Sequence, residues 1–230
     1  ISNSEDIFSV LFVYALLRWC CWGKDPLPVD IIPLFESMEG MRNAESIMEA
    51  LFEIPEYRAH VRHRRETQTI MLGFSDGTKD GGYLQANWSI FKTKEGLTTV
   101  CDRHRIKVIF FDGRGGPPAR GGGKTHRFYA SQGDKIANHA IQLTIQGQTI
   151  TSQYGTKAHF RHNCEQLLTA GLSHELAQKP IHLSETSGQI LEKLAAVSYE
   201  AYTALKNHPM FLPYLENKTT LKYYSRANIG

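Results

Sequence analysis

Ile106-Lys107-Val108-Ile109-Phe110-Phe111-Asp112-Gly113-Arg114-Gly115-Gly116 is the stretch on which the fold turns. Its first six residues are mostly apolar and β-branched at the start, the pattern of a strand buried on both faces. The run then breaks into charge and glycine. Buried strands that end in polar residues belong to parallel sheets, where ligands bind at the carboxyl ends. Working outward, Val29–Phe35, Thr69–Phe74 and Ile141–Ile145 read as further strands, the first interrupted by Pro33. Helical spacing lies between them, at Ala44, Ile47, Met48, Leu51 and Phe52, and from Gly82 to Arg105. Helices are also expected from Ser4 to Leu17 and over most of Lys157 to Tyr202. The four strand starts are about 35 to 40 residues apart, the size of a strand-plus-helix unit with generous loops. The fold class is therefore α/β and helix-rich, with a parallel sheet covered by helices. Four units amount to half of an eightfold barrel, and an open parallel sheet obeys the same rule about strand ends.

Composition narrows the function. The chain has 230 residues, 41% hydrophobic and 21% charged, as in ordinary globular proteins. Lys plus Arg is 26 and Asp plus Glu is 23, a net charge of +3. That surplus is too small to imply nucleic acid or a membrane surface. The most apolar stretch, Ile7 to Leu17, is too short to span a bilayer as a helix, and Glu5 and Asp6 do not suit a signal peptide. Cys20, Cys21, Cys101 and Cys164 are too few for a disulfide scaffold and read as reduced thiols of an intracellular protein. The chain begins with Ile1, so it reads as a piece of something longer, in one segment with no internal linker.

Three places carry residues suited to chemistry. Six glycines, Gly113, Gly115, Gly116, Gly121, Gly122 and Gly123, fall around Arg114 and Arg120. Glycine lets backbone amides approach an anion, and arginine adds a cationic fork for phosphate or carboxylate. The Gly123-Lys124-Thr125 ending invites a nucleotide loop, but Pro118 stands where that motif needs glycine. The second place is Phe74-Ser75-Asp76-Gly77-Thr78-Lys79-Asp80-Gly81-Gly82. There Asp76 suits a hard cation and Lys79 an anion, while a plain Asp/Gly turn capped by Asp80 accounts for it equally. The third is Glu36, which gains weight as a ligand if it meets Asp76 across neighbouring strands. Elsewhere, Arg58, Arg62, Arg64 and Arg65, flanked by Glu53, Glu56 and Glu66, read as an ion-paired helix face rather than an RNA patch. His159, His162 and Cys164 match no standard zinc spacing.

Taken together, Pro33-Leu34-Phe35-Glu36, Gly73 to Gly82 and Gly113 to Gly122 resemble phosphoenolpyruvate carboxylase, in that family's order and at sensible spacing. Tyr83 to Trp88, Ile145 to Ile150, Phe211 to Tyr214 and the Asn228-Ile229-Gly230 end add to the likeness, which covers nearly the whole chain. The resemblance implies part of a (β/α)8 TIM-type barrel with extra helices, roughly its second half, from a cytoplasmic enzyme several times longer. It implies that Glu36 and Asp76 hold Mg2+ or Mn2+, that Lys79 helps bind bicarbonate and that Arg114 takes the substrate phosphate. Arg120, with Gly115, Gly116, Gly121 and Gly122, would form a loop over bicarbonate and carboxyphosphate that closes to exclude water. A dicarboxylate feedback inhibitor and a homotetrameric parent are implied too.

The implied reaction converts phosphoenolpyruvate and bicarbonate to oxaloacetate and phosphate, through carboxyphosphate and a metal-stabilised enolate. A catalytic histidine of the family belongs to a part not included here, so the segment alone is expected to be inactive. With its sheet edges open, it is also expected to fold only with help, whether by self-association, by rearranged packing or with the missing parts present. Two departures from the family pattern stand out. Asp112 replaces a usual histidine, and Glu216 stands where arginine is frequent. A carboxylate beside a phosphate site calls for a compensating lysine or arginine. These departures support an alternative, a diverged anion-binding or regulatory module without turnover.

Overall fold

The computed structural model describes residues 7–20, 27–115, 123–145, 147–176 and 182–224. Among them β1 (Leu34–Phe35), β2 (Thr67–Leu72), β3 (Lys107–Gly115) and β4 (Ile141–Ile145) form one parallel sheet in the order β1-β2-β3-β4. Leu34 is opposite Met71, Ile70 opposite Phe110 and Phe111 opposite Gln142. Each strand lies beside its neighbour in sequence, with no reversal of order of the kind that marks a doubly wound sheet. That order is consistent with part of a barrel.

The strands differ from expectation at their ends, for local reasons. β1 is only two residues long, because Pro33 has no N–H to give to a ladder. Its carbonyl still accepts from the Met71 N–H at 2.8 Å. β2 starts two residues earlier than expected, straight after Arg65 and Glu66 turn the chain through positive φ. It also stops at Leu72, and Phe74 opens a helix instead of closing the strand. β3 runs past Phe111, so Asp112 and Arg114 are strand residues rather than the start of a loop. β4 has the bounds its alternation suggested.

Helices α1 (Ile7–Cys20), α2 (Met38–Glu53) and α3 (Pro55–His63) surround the first unit. Helices α4 (Phe74–Gly81) and α5 (Tyr83–Arg103) join β2 to β3, and α6 (Thr125–Ala130) precedes β4. After β4 come α7 (Gly147–Tyr154), α8 (Lys157–Leu176), α9 (Glu185–Lys206), α10 (Phe211–Lys218) and α11 (Leu221–Tyr224). The expected helical region from Lys157 to Tyr202 is thus two helices. None of the described helices is long and apolar enough to cross a membrane.

The core lies between the sheet and its helices. Met41, Ala44, Met48, Leu51 and Phe52 make the buried stripe of α2, which faces Ile90, Leu97 and Cys101 on α5. Ile70, Leu72, Val108 and Phe110 supply the sheet side. Burying each large aliphatic residue contributes roughly 1.5–3 kcal/mol, which holds the sheet against its helices. Around α3, Arg58 pairs with Glu66, Arg62 approaches the same carboxylate at 3.8 Å, and Arg64 pairs with Asp30. The basic cluster is an ion-paired face, as its flanking glutamates suggested.

Candidate functional site

The carboxyl ends of the strands gather most of the residues singled out above. Glu36 follows β1 directly. The Gly73 N–H donates to the Phe35 carbonyl at 3.0 Å, which draws the end of β2 alongside it. Contact is so close that a Cβ on Gly73 would lie 2.4 Å from Glu36 Cβ. Glycine at 73 is therefore what lets the Glu36 side chain occupy this corner.

Asp76 and Lys79 are on α4, so the Asp/Gly-rich stretch is a short helix and not a turn. Its first turn presents Asp76 next to the end of β2 and its last presents Lys79. Lys79 Nζ contacts Asp76 Oδ1 at 2.7 Å, and both side chains are half exposed. Asp80 does not cap the helix that follows. Its Oδ2 accepts from the Met38 N–H at 2.8 Å and so caps α2, beside Ser37, whose Oγ accepts from the Gly40 N–H. Between α4 and α5, Gly82 takes φ +75°, and a Cβ there would meet the Tyr202 ring at 3.0 Å. Tyr202 OH donates to the Lys79 carbonyl, and Lys206 Nζ to the Asp80 carbonyl. α4 is therefore held from the α2 side and from α9.

Arg114 lies at a bulge, since Asp112 and Gly115 on β3 face Leu143 and Ile145 on β4. Bulges redirect side chains and are common beside active sites. The Arg114 residue is buried, with its guanidinium carbon 4.4 Å from the centre of the Phe128 ring and 6.0 Å from that of Phe74. Burial lowers the Arg114 pKa, against the opposing influence of Tyr83, Tyr129 and Asp112. Arginine stays cationic through such shifts. Gly113 packs against β2, where a Cβ would stand 3.1 Å from the Leu72 carbonyl oxygen.

Asp112 finds the compensating cation that its position demands. Lys94 Nζ lies 2.8 Å from Asp112 Oδ2, and Tyr129 OH donates to the same oxygen at 2.7 Å. Lys94 is 1% exposed and Asp112 0%. The Lys94 ammonium also sits 5.0 Å from the Phe110 ring and 5.1 Å from Phe128. Burial pulls the Lys94 pKa down while Asp112 holds it up. Burial and the Asp112 carboxylate push the Tyr129 phenol up, so it remains a donor. Asp112 Oδ1 has no hydrogen-bond partner among the described residues.

Lys94 and Tyr129 were not among the residues that sequence reasoning selected. One signal was there: Lys94 falls in the buried register of Ile90, Leu97 and Cys101, where an aliphatic residue belongs. Arg120, Gly116, Gly121 and Gly122 lie outside the described residues. Gly115 ends β3, and Glu216 is exposed on α10.

Among the described residues no group of three or more His, Cys, Asp or Glu gathers as a metal centre, His159, His162 and Cys164 included. Magnesium does not require three protein ligands. It commonly uses one or two carboxylates, with water and substrate oxygen completing the shell. Glu36 follows β1 and Asp76 sits in the first turn of α4, just after β2; both are hard oxygen donors, and Gly73 leaves room for the first. This donor set fits such an ion.

The family model for phosphoenolpyruvate carboxylase matches residues 1–230. The chain belongs to the phosphoenolpyruvate carboxylase family. It is 35% identical over 203 residues to the phosphoenolpyruvate carboxylase of Corynebacterium diphtheriae, covering 88% of this chain and 22% of that protein. It is 34% identical over 237 residues to the one from Mycobacterium leprae, covering 100% of this chain and 25% of the relative. The Azoarcus phosphoenolpyruvate carboxylase gives 34% over 237 residues, or 26% of its length. The chain thus spans about a quarter of the curated phosphoenolpyruvate carboxylases it matches.

Proposed function

We propose that the protein carboxylates phosphoenolpyruvate with bicarbonate, and that this chain supplies the metal carboxylates and the phosphate-binding arginine. The observation that carries this is Arg114, a buried cation at the carboxyl end of β3, one strand from the corner where Glu36 meets Gly73. The sheet is read as part of a (β/α)8 barrel, on its sequential parallel order.

In the reaction, a bicarbonate oxygen attacks the phosphorus of phosphoenolpyruvate. The bond from phosphorus to the enol oxygen breaks, and its electron pair leaves with the enolate of pyruvate. Carboxyphosphate then breaks into carbon dioxide and phosphate, and the enolate carbon bonds to carbon dioxide to give oxaloacetate. Arg114 would orient the phosphoryl group and offset its charge. Glu36 and Asp76 would hold Mg2+ or Mn2+, which when bound supplies Lewis-acid stabilisation of developing negative charge. Lys79 pairs with Asp76 here, which keeps its ammonium beside the carboxylate that would hold the ion and in place to meet bicarbonate. By resemblance, Arg120 and its neighbouring glycines exclude water from the enolate. The same reading makes the enzyme cytoplasmic and homotetrameric, with a dicarboxylate as inhibitor and an anaplerotic role.

A second reading rests on Asp112. With a carboxylate in place of the usual histidine, the fold would bind a phosphorylated anion without turning it over. The test is oxaloacetate formation by the protein at its full natural length, with and without Mg2+, for wild type, Lys79→Ala and Arg114→Ala. Metal-dependent activity lost in both variants supports the carboxylase. A folded wild type that binds phosphoenolpyruvate without forming oxaloacetate supports the second reading.

A further inference from the structure

We infer that Lys94, Asp112 and Tyr129 form a buried positioning unit for Arg114, fixing the aromatic surface against which its guanidinium lies. This deepens the carboxylase reading and rests on its assignment of Arg114 to the substrate phosphate.

Val108, Phe110, Asp112 and Arg114 are the buried residues of β3, alternating with partly exposed ones. An Asp there has no water to solvate it, so its charge must be met from another element. α5 meets it with Lys94 and α6 with Tyr129. A buried ion pair is a poor way to gain stability, because a well-packed aliphatic pair does as well or better. What the pair adds is direction. Both donors converge on one oxygen, Asp112 Oδ2, so α5 and α6 are keyed to a single point on the strand.

Tyr129 carries that constraint to Arg114. Its chain neighbour Phe128 stacks edge-on with Phe74 at 5.4 Å and lies 4.4 Å from the Arg114 guanidinium carbon. Lys94 approaches the same Phe128 ring at 5.1 Å. The ring is therefore shared by the two cations, and its position depends on the Tyr129–Asp112 bond two residues away from Arg114 in the strand. None of the three touches substrate in this scheme. They act by holding Arg114 still, which limits what an anion must order when it binds.

The test is a double-mutant cycle between Tyr129→Phe and Arg114→Gln in the protein at its full natural length. Tyr129→Phe removes only the hydroxyl and keeps the ring's contacts with Phe128, at 5.1 Å, and with the Lys94 ammonium, at 5.7 Å. Two quantities are read: the Kd for inorganic phosphate, and KM and kcat for phosphoenolpyruvate. Tyr129→Phe is expected to raise Kd and KM about 10-fold with kcat within about 3-fold, and to have no further effect in the Arg114→Gln background. Lys94→Met/Asp112→Asn, neutral and similar in volume, should raise KM in the same way while remaining folded.

Equal effects of Tyr129→Phe in both backgrounds would mean a structural role only, and would overturn the inference even if wild type makes oxaloacetate. Coupling in phosphate affinity without oxaloacetate formation would uphold the positioning unit and remove the carboxylase reading. A wild type that binds neither phosphate nor phosphoenolpyruvate would overturn both.

Discussion

Tyr202 on α9 donates a hydrogen bond to the backbone carbonyl of Lys79, at 2.7 Å and 123 residues away in sequence. The helix that presents Asp76 and Lys79 is thereby tied to a helix far along the chain. Removing the hydroxyl with Tyr202→Phe should cost about 1 kcal/mol, and lower Tm by about 2–4 °C for a chain of this size. In the proposed enzyme, KM for bicarbonate should rise more than KM for phosphoenolpyruvate. Thermal melting and steady-state kinetics check both, and unchanged values in each would show that α9 does not steady α4.

Gly73→Ala should be poorly tolerated, because the new methyl group would collide with Glu36 Cβ at 2.4 Å. Overpacking of this kind costs about 1–3 kcal/mol. It should also displace the Glu36 carboxylate. In the proposed enzyme we expect lower activity at low Mg2+, with the half-saturating concentration raised several-fold. A variant with normal stability and normal metal dependence would contradict the close approach.

Replacing Lys94 with Met leaves the Asp112 charge buried without its cation. Loss of one partner of such a pair costs roughly 3–5 kcal/mol. The combined Lys94→Met/Asp112→Asn variant removes both charges and should recover most of that loss. Urea unfolding of wild type and the two variants decides the matter, and a Lys94→Met protein as stable as wild type would show that the pair carries little.

Acid sensitivity should have a contribution from Glu192. Lys92 Nζ lies 2.6 Å from its Oε2 and Trp88 Nε1 donates at 2.7 Å, and these bonds hold its carboxyl below the usual range. A carboxylate whose pKa is lower in the folded state stabilises fully above the unfolded value of about 4.3. That contribution disappears as pH falls through the folded value. Glu192→Gln should therefore narrow its stability gap to wild type as pH drops from neutral to below 4, in urea midpoints. A gap that widens in acid would reverse this assignment.

The cysteines should differ sharply in reactivity. Cys101 is buried and its thiol is pushed up to about 12, by burial first and then by Asp102 and Glu49. Cys20 is exposed. Brief iodoacetamide treatment of the native protein should label Cys20 and spare Cys101, while labelling in urea should reach both. Native modification of Cys101 would show that α5 opens readily.

How well the chain could be read depended on how local each cause was. β4 was legible because Ile141–Ile145 alternates by itself, and the α2 stripe because its spacing needs no partner. β1 was overestimated because the apolar run from Val29 outweighed Pro33 inside it. α4 was hidden, because Asp76, Gly77, Asp80 and Gly81 favour turns on their own. Its anchoring comes from Met38, Tyr202 and Lys206, remote residues that no window around the helix includes. Asp112 could be flagged as needing a cation, but which lysine answered depended on the register of α5 over β3. Lys94 gains its meaning only from the strand beneath it, where it meets Asp112.

The strand order β1-β2-β3-β4 also bears on how the chain reaches this state. β2, β3 and β4 each dock on the strand made just before, so each finds its template already complete as it leaves the ribosome. The connections to be closed hold one or two helices each and are local in sequence, which keeps the entropy of each addition small. Docking of α6 onto β3 is the step at which Tyr129 and Lys94 can first meet around Asp112. Until then the buried carboxylate has at most one of its two donors, and the growing sheet has reason to stay loose there.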